Sequence, residues 1–215
     1  MKKLFLGGGG SEEQSKAIDK EFQESLPKNP KILLIALARD NAEKTYQWFV
    51  KAYAPYGIKD VKVLEDKPYT KKEFMKYDAI YIGGGNTFKL LKRLKEKGIT
   101  RVLEQYYRDG NIIYGGSAGA IILGKSIAMA SVCDENDCGL KDLKGLNLIK
   151  EISISCHDQG EKVNGRELKV IAMPEDAGII VEEDKIKILG NSCRLIVNNK
   201  EKILEKEKVY ELKNL

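Results

Sequence analysis

The chain has little histidine, cysteine and proline, and it lacks any long apolar run. Its 215 residues include one His, four Cys and five Pro. No apolar stretch approaches the roughly 18 residues that a transmembrane helix needs, and the apolar N-terminal segment is too short for a signal peptide. Four cysteines in a chain of this length without a secretion signal do not indicate a disulfide framework. We therefore expect a cytoplasmic protein without a membrane partner.

The charges of the chain are mixed and not concentrated in one region. Lys and Arg number 37 against 32 Asp and Glu, which gives a net charge of +5, and 42% of the residues are hydrophobic. Lysines interleave with glutamates at residues 200–202 and 205–208, a pattern typical of a solvated surface and not of a nucleic-acid-binding stripe. The length predicts a single domain over residues 1–215.

The first half of the chain alternates short apolar runs with turns and helical patterns. Strands are predicted at 3–6, 32–37, 61–64, 79–82 and 111–114, with helices between them. After about residue 130 shorter strands are expected at 151–156, 168–173, 178–181, 185–189 and 195–198. The pattern predicts an α/β fold, a doubly wound and mostly parallel sheet to which the later strands and hairpins are added.

The glycine clusters do not indicate a nucleotide cofactor. The glycines at 7–10 lack a further glycine at position 12, which the dinucleotide fingerprint needs, and no Gly-Lys-Ser/Thr follows for a P-loop. The cluster at 83–85 ends a strand that is expected to adjoin the strand at 111–114. Its N–H groups can help to stabilise an oxyanion, although a simple crossover turn is the alternative.

Residues 114–119, Tyr-Gly-Gly-Ser-Ala-Gly, have the pattern of a nucleophile elbow. Ser117 follows a predicted strand and precedes a predicted helix, so a sharp turn is expected there. Small neighbours permit that turn, and the free N–H groups at the helix start can stabilise an oxyanion. The alternative is a strand-to-helix turn that is merely closely packed.

His157 is the one histidine of the chain, and it follows the alternating run at 152–156. A serine hydroxyl needs a base, which is usually histidine near neutral pH. Catalytic groups in open α/β sheets lie at the carboxyl ends of strands. His157 is therefore the candidate base, although a structural or exposed histidine is the alternative.

Several motifs, taken in order, resemble those of the peptidase E (aspartyl dipeptidase) family of serine peptidases. They are Ile-Gly-Gly-Gly-Asn-Thr-Phe at 82–88, Gly-Ser-Ala-Gly at 116–119, a single His after a strand, and Met-Pro-Glu at 173–175. The resemblance runs from about residue 4 to 189. It implies a fold similar to class I glutamine amidotransferases, with cyanophycinases as relatives. It further implies Ser117 as nucleophile, His157 as base, Glu175 as the third triad member, and an oxyanion hole formed by Gly84, Gly85 and Ala118.

The third triad member stays open at this point. Glu175 follows a separate strand whose end can lie beside His157. Asp158 would point to the opposite face if the preceding strand continued. Asp137, on the loop after the elbow helix, is a further candidate. The chain also departs from many family members, which carry an aromatic residue in place of Gly116 and a Pro-His-Phe-like setting around the histidine.

The substrate is less well specified than the reaction. An acidic side chain before the scissile bond needs a cation, best an arginine. Arg166 is the one arginine between His157 and Glu175, with Lys162 and Lys169 close in sequence. We predict that Arg166 and Asn86 bind substrate, and that peptides with N-terminal Asp are preferred. An exposed Arg166 on a hairpin tip is the alternative.

The sequence thus predicts a serine peptidase that acts on short peptides and needs neither metal nor cofactor. A homodimer is left open. One alternative is a small esterase of the α/β-hydrolase type, in which Asp134 or Asp137 would serve as the acid. Another is a catalytically idle binding or regulatory domain, since fold does not fix function.

Overall fold

The computed structural model describes residues 2–161 and 169–215. The strands are β1 (Lys3–Gly7), β2 (Lys31–Ile35), β3 (Asp60–Val63), β4 (Ala79–Ile82), β5 (Ile112–Gly116), β6 (Ile152–Ser155), β7 (Lys169–Ala172), β8 (Ala177–Glu182), β9 (Lys185–Gly190), β10 (Cys193–Val197), β11 (Lys200–Leu204) and β12 (Val209–Glu211). The helices are α1 (Glu12–Glu24), α2 (Ala42–Tyr53), α3 (Lys71–Phe74), α4 (Thr87–Glu96), α5 (Ile99–Arg108) and α6 (Ala118–Leu123). Short 3₁₀ turns lie at Ala54–Tyr56, Ala128–Val132 and Leu212–Asn214.

The larger sheet has eight strands in the order β12-β9-β8-β1-β5-β4-β2-β3. The five strands from β1 to β3 in this order pair in parallel, whereas β8, β9 and β12 pair antiparallel. Leu6 and Ile82 both pair with Gly115, so the carboxyl ends of β1, β4 and β5 meet at one edge of the sheet. This edge is where ligands bind in open α/β sheets.

A smaller sheet contains the strands β11-β10-β7-β6 in that order. The predicted α/β fold is confirmed, but the later strands divide between two sheets, which the sequence pattern did not predict. The hairpin of β8 and β9 covers the edge at β1, so β6 pairs in parallel with β7 instead. The pattern also missed the short helix α3 and the strands β11 and β12.

Local signals explain where the helices begin. Ser11 and Gln14 form a capping box at α1, in which each side chain accepts a hydrogen bond from the backbone N–H of the other. Asn86 caps α4 by accepting from the Lys89 N–H at 2.9 Å. Gly98 adopts a left-handed conformation (φ 66°) between α4 and α5, as glycine commonly does at the end of a helix.

Strand alternation divides the core between the two faces of the larger sheet. Leu4 and Leu6 pack with α4, α5 and α6 on one face, while Phe5 packs with α1 and α2 on the other. Tyr81 and Tyr114 also lie on the α1 and α2 face, with ring centroids 4.6 Å apart. Within the described residues, no helix is long and apolar enough to cross a membrane.

Candidate active site

Ser117 lies at the sharp turn between β5 and α6, where the sequence predicted it. Its backbone has φ 49° and ψ −113°, a conformation that L residues rarely adopt. The Ser117 N–H donates to the Gly7 carbonyl at 3.0 Å, which holds the turn in place. A Cβ on Gly119 would lie 2.2 Å from the Ile82 carbonyl oxygen, so α6 approaches β4 closely only because this residue is glycine. The strained turn therefore presents the serine hydroxyl above the carboxyl ends of the parallel strands.

Three predicted side chains form a continuous line of polar contacts. Ser117 Oγ lies 2.8 Å from His157 Nε2, and His157 Nδ1 lies 2.9 Å from Glu175 Oε1. His157 follows β6, and Glu175 lies on the loop between β7 and β8. The His157 backbone is itself left-handed (φ 59°), and its N–H donates to the Gly8 carbonyl at 3.4 Å. The arrangement has the nucleophile, base and orienting acid geometry of a serine hydrolase.

The Asp158 side chain pairs with Arg194 and not with His157. Its Oδ2 accepts from Arg194 Nε at 2.8 Å, and its Oδ1 accepts from Arg194 Nη2 at 2.5 Å. The pair is well buried, with side chains 7% and 14% exposed. The chain leaves β6 at Ser155 and turns before Asp158, so strand alternation is not what directs this side chain. Asp158 is thus occupied by a bidentate ion pair that anchors the segment after His157 to β10.

Other predicted polar residues contact the start of α4. Asp134 accepts from the first N–H of α4 at 2.8 Å, and Asp137 pairs with Lys89 at 3.0 Å. The side-chain amide oxygen of Asn86 caps α4, and its amide N–H donates to a backbone carbonyl of the loop after α6 at 2.8 Å. These contacts do not join Asp134 or Asp137 to His157, and they give no support to the predicted substrate-binding role of Asn86.

The glycine loop after β4 lies against the elbow. A Cβ on Gly84 would lie 3.2 Å from Ser117 Cβ. Gly85 has φ 138°, and a Cβ there would lie 2.7 Å from the Ala38 carbonyl oxygen, so both its backbone conformation and its surroundings require glycine. Among the described residues, the N–H groups of Gly84 and Gly85 donate to no backbone carbonyl. Ala118 is the first residue of α6, so its N–H has no partner within the helix. The loop and the helix start can thus offer N–H donors beside Ser117.

A cleft of about 590 Å³ opens at Ser117. Arg39 and Lys44 are exposed cations on its wall, and Met129 and Ala130 line it on the side of the smaller sheet. Cys156 lies beneath, with Sγ 3.6 Å from the Ser117 carbonyl oxygen, and burial raises the pKa of this thiol far above its usual value. Arg166, predicted to bind substrate, lies outside the described residues.

Sequence reasoning did not find several residues near the site. Arg194 is an arginine within an apolar run at 193–197, and this pattern indicates that the side chain has a buried partner. Arg39 lies on the loop after β2, and Tyr81 and Tyr114 were counted with apolar strands. Only the register of β4 and β5 shows that both tyrosines reach the same cleft.

Comparison with known proteins identifies a family for the chain. The family model described as Peptidase family S51 matches residues 4–196. Uncharacterized peptidase YgaJ of Bacillus subtilis (strain 168) is 30% identical over 128 residues, which are 56% of this chain and 56% of that protein. Peptidase E of Haemophilus influenzae is 38% identical over 88 residues, 41% of this chain and 38% of the relative. The chain thus spans about half the length, or less, of these curated relatives.

Solved structures share the fold. A peptidase from an acI-B1 Actinobacterium matches with a TM-score of 0.72 at 17% identity, over 97% of this chain and 96% of that chain. A Listeria monocytogenes EGD-e protein described as a candidate peptidase E matches with a TM-score of 0.69 at 22% identity, over 88% and 98% of the two chains. The family match and the curated relatives confirm the resemblance to peptidase E that the sequence motifs indicated.

Proposed function

The chain belongs to peptidase family S51, and on this basis we propose that it is a serine peptidase that hydrolyses short peptides through an acyl-enzyme. The observation that carries the proposal is the unbroken line from Ser117 Oγ through the His157 ring to Glu175, with distances of 2.8 and 2.9 Å. Family membership alone gives the class of reaction. The contacts supply named residues for each step.

In the first step, Ser117 Oγ attacks the scissile carbonyl carbon while its proton passes to His157 Nε2. Glu175 accepts a hydrogen bond from Nδ1–H, which leaves Nε2 unprotonated in the resting enzyme and stabilises the imidazolium that forms. The carbonyl oxygen becomes an oxyanion, and the N–H groups of Gly84, Gly85 and Ala118 are the donors proposed to stabilise it. These donors lie around Ser117 on two separate elements, the β4–α4 loop and the start of α6.

The tetrahedral intermediate then collapses. His157 returns the proton to the departing amine nitrogen, the C–N bond breaks, and an ester to Ser117 remains. Water attacks this ester with His157 again acting as base, so that the acid product leaves and the serine hydroxyl is restored. The cycle needs no group beyond these side chains, the backbone donors and water.

The proposed substrates are short peptides, and the side chains at one wall of the cleft favour a ligand that carries a carboxylate. Arg39 and Lys44 line that wall and form no ion pair among the described residues, so they can pair with a substrate carboxylate. An N-terminal Asp residue would supply one. Comparing kcat/KM for Asp-Leu and Asn-Leu, with Arg39→Ala and Arg166→Ala variants, tests this preference, and a ratio near one would contradict it.

A dipeptide-library screen tests the proposed activity itself. We expect amine release from at least a subset of dipeptides, abolished by Ser117→Ala, since loss of a triad nucleophile costs several orders of magnitude. Ser131→Ala is the matched control because Ser131 is exposed and bonds only within its own turn. Hydrolysis that persists in Ser117→Ala would contradict the proposal, and so would a chain that binds peptides without cleaving them.

A further inference from the structure

Asp19 is a buried carboxylate that has no cationic partner in the part of the chain that the structure describes. It lies on α1 and is 5% exposed. Oδ1 accepts from the hydroxyls of Tyr53 and Tyr114, each at 2.8 Å, and Oδ2 accepts from the Ser15 hydroxyl at 2.7 Å. Among the described residues no Lys, Arg or His side chain pairs with it. Three hydroxyl donors therefore satisfy this carboxylate, and none of them neutralises its negative charge.

The Asp19 cluster lies directly beside the nucleophile. The Tyr114 hydroxyl is 2.9 Å from where a Cβ on Gly7 would stand, and the Tyr81 hydroxyl is 3.1 Å from where a Cβ on Gly116 would stand. Gly7 and Gly116 pair in the sheet, and Gly116 is bonded to Ser117. Glycine at both positions therefore leaves space beside the two tyrosine hydroxyls, and both residues line the same cleft as Ser117 although Tyr81 is only 3% and Tyr114 only 2% exposed.

The hydroxyl protons of this cluster point away from the cleft. An ionised carboxylate can only accept hydrogen bonds, so Ser15, Tyr53 and Tyr114 each use their proton on Asp19. The oxygens of Ser15 and Tyr114, which line the cleft, are then acceptors toward any further ligand. Acceptor oxygens with a negative charge behind them favour a ligand that is positively charged and donates hydrogen bonds.

An independent observation on α2 points to a ligand in the same cleft. Thr45, on α2, lines the cleft and is only 8% exposed. Its hydroxyl has no hydrogen-bond partner among the described residues. A buried polar group that is left unpaired costs free energy, so a bound ligand that supplies the missing partner would be stabilised at this position.

We propose that the pocket formed by Ser15, Thr45, Tyr81 and Tyr114, with Asp19 behind it, binds an ammonium group of the substrate. The inference rests on the proposed function and adds how the substrate is recognised. The α-ammonium group of a peptide whose first carbonyl is attacked lies about 2.5 Å from that carbonyl carbon by standard bond lengths, so it would fall next to the nucleophile. A lysine side chain at the same residue carries the same ammonium chemistry.

Trp48 allows binding to be measured without catalysis. It is the one tryptophan of the chain and it lines this part of the cleft, so its fluorescence reports on a ligand there. Ser117→Ala protein would be titrated with leucinamide, which carries an α-ammonium group, and with 4-methylpentanamide, which has the same skeleton without it. N-acetyl-lysinamide, with a side-chain ammonium only, distinguishes the two sources. Because no hydrolysis is involved, the result is independent of whether the peptidase proposal holds.

We expect at least one of the two ammonium compounds to bind about tenfold or more tightly than 4-methylpentanamide, the range of a charge-assisted hydrogen bond. Asp19→Asn should bring that ratio close to one. Glu24→Gln, which removes a carboxylate from the exposed end of the same helix, should leave it unchanged. Should Asp19→Asn fail to fold, Tyr114→Phe removes one acceptor and should lower the ratio several-fold. Equal binding of charged and neutral compounds, or an unchanged ratio in folded Asp19→Asn, would overturn the proposal.

Discussion

The ion pair between Asp158 and Arg194 should position His157. Asp158 is bonded to His157 along the chain, and its N–H donates to the Met173 carbonyl at 3.0 Å. Arg194 binds both carboxylate oxygens and also donates to the Glu161 carbonyl at 2.9 Å. The left-handed backbone of His157 is strained, so it persists only where neighbouring contacts hold it. Removing Arg194 should therefore affect both stability and catalysis.

The size of the effect follows from burial. Breaking a buried pair by removing one partner costs about 3–5 kcal/mol, because the remaining charge stays desolvated. Arg194 is 14% exposed and Asp158 is 7% exposed, so water reaches the pair a little and we take the lower end, about 3 kcal/mol. For a chain of this length 1 kcal/mol corresponds to roughly 2–4 °C in Tm. Arg194→Met should then lower Tm by about 6–12 °C.

Catalysis and stability can be separated with a double variant. Asp158→Leu combined with Arg194→Met removes both charges, so much of the lost stability should return. The anchor for the His157 segment stays absent, however, and a displacement of about 1 Å can cost roughly 100-fold in rate. We expect kcat to stay low in the double variant while KM changes little.

Thermal unfolding, steady-state kinetics and the rate of fluorophosphonate labelling are the three assays. Arg101→Met is the control, because Arg101 is an exposed arginine on α5. The reasoning fails if Arg194→Met loses less than about 1 kcal/mol of stability, or if the restored double variant labels as fast as the unaltered protein.

Three further predictions concern titratable groups. Glu175→Gln should lower kcat by roughly 100-fold or more because the imidazolium loses its partner, while Asp137→Asn should not; steady-state kinetics with the reverse result would exclude Glu175 as the acid. Burial raises the pKa of Asp19 in the folded protein above its value of about 3.9 in the unfolded chain. The contribution of Asp19 to the free energy of unfolding is therefore fully present below about pH 3.9, and it is lost as the pH rises through the pKa of the folded state. Tm measured from pH 4 to 7 should fall for the unaltered protein relative to Asp19→Asn, and parallel curves would contradict this. Iodoacetamide at pH 8 should alkylate the exposed Cys133 in the folded protein and not the buried Cys156; mass spectrometry showing the reverse order would contradict the burial argument.

The elbow could be predicted from sequence because its signal is local. The small residues around Ser117 are contiguous, and the strand before them and the helix after them have clear periodicity. Its two partners, His157 and Glu175, were located by their positions after strands together with the ordered motifs. The structure brings the three into hydrogen-bond contact.

Other features depend on contacts that no local pattern records. The later strands divide between two sheets because β8 pairs with the edge of the larger sheet at β1, and β6 pairs with β7. The alternation of Ile152 and Ser153 suits either sheet, so the sequence pattern alone does not show this division. Asp158 and Arg194 are 36 residues apart, and sequence alone does not show that they pair. Strand alternation was also the wrong basis for judging Asp158, because the chain turns at His157.

Intact-mass analysis after treatment with a fluorophosphonate tests the central claim most directly. If Ser117 is activated by His157, the protein should gain one equivalent of adduct, peptide mapping should place it on Ser117, and His157→Ala should slow the labelling by several orders of magnitude. Ser117→Ala should gain none. Full labelling that survives in Ser117→Ala, or labelling of Ser117 that is equally fast without His157, would contradict the account.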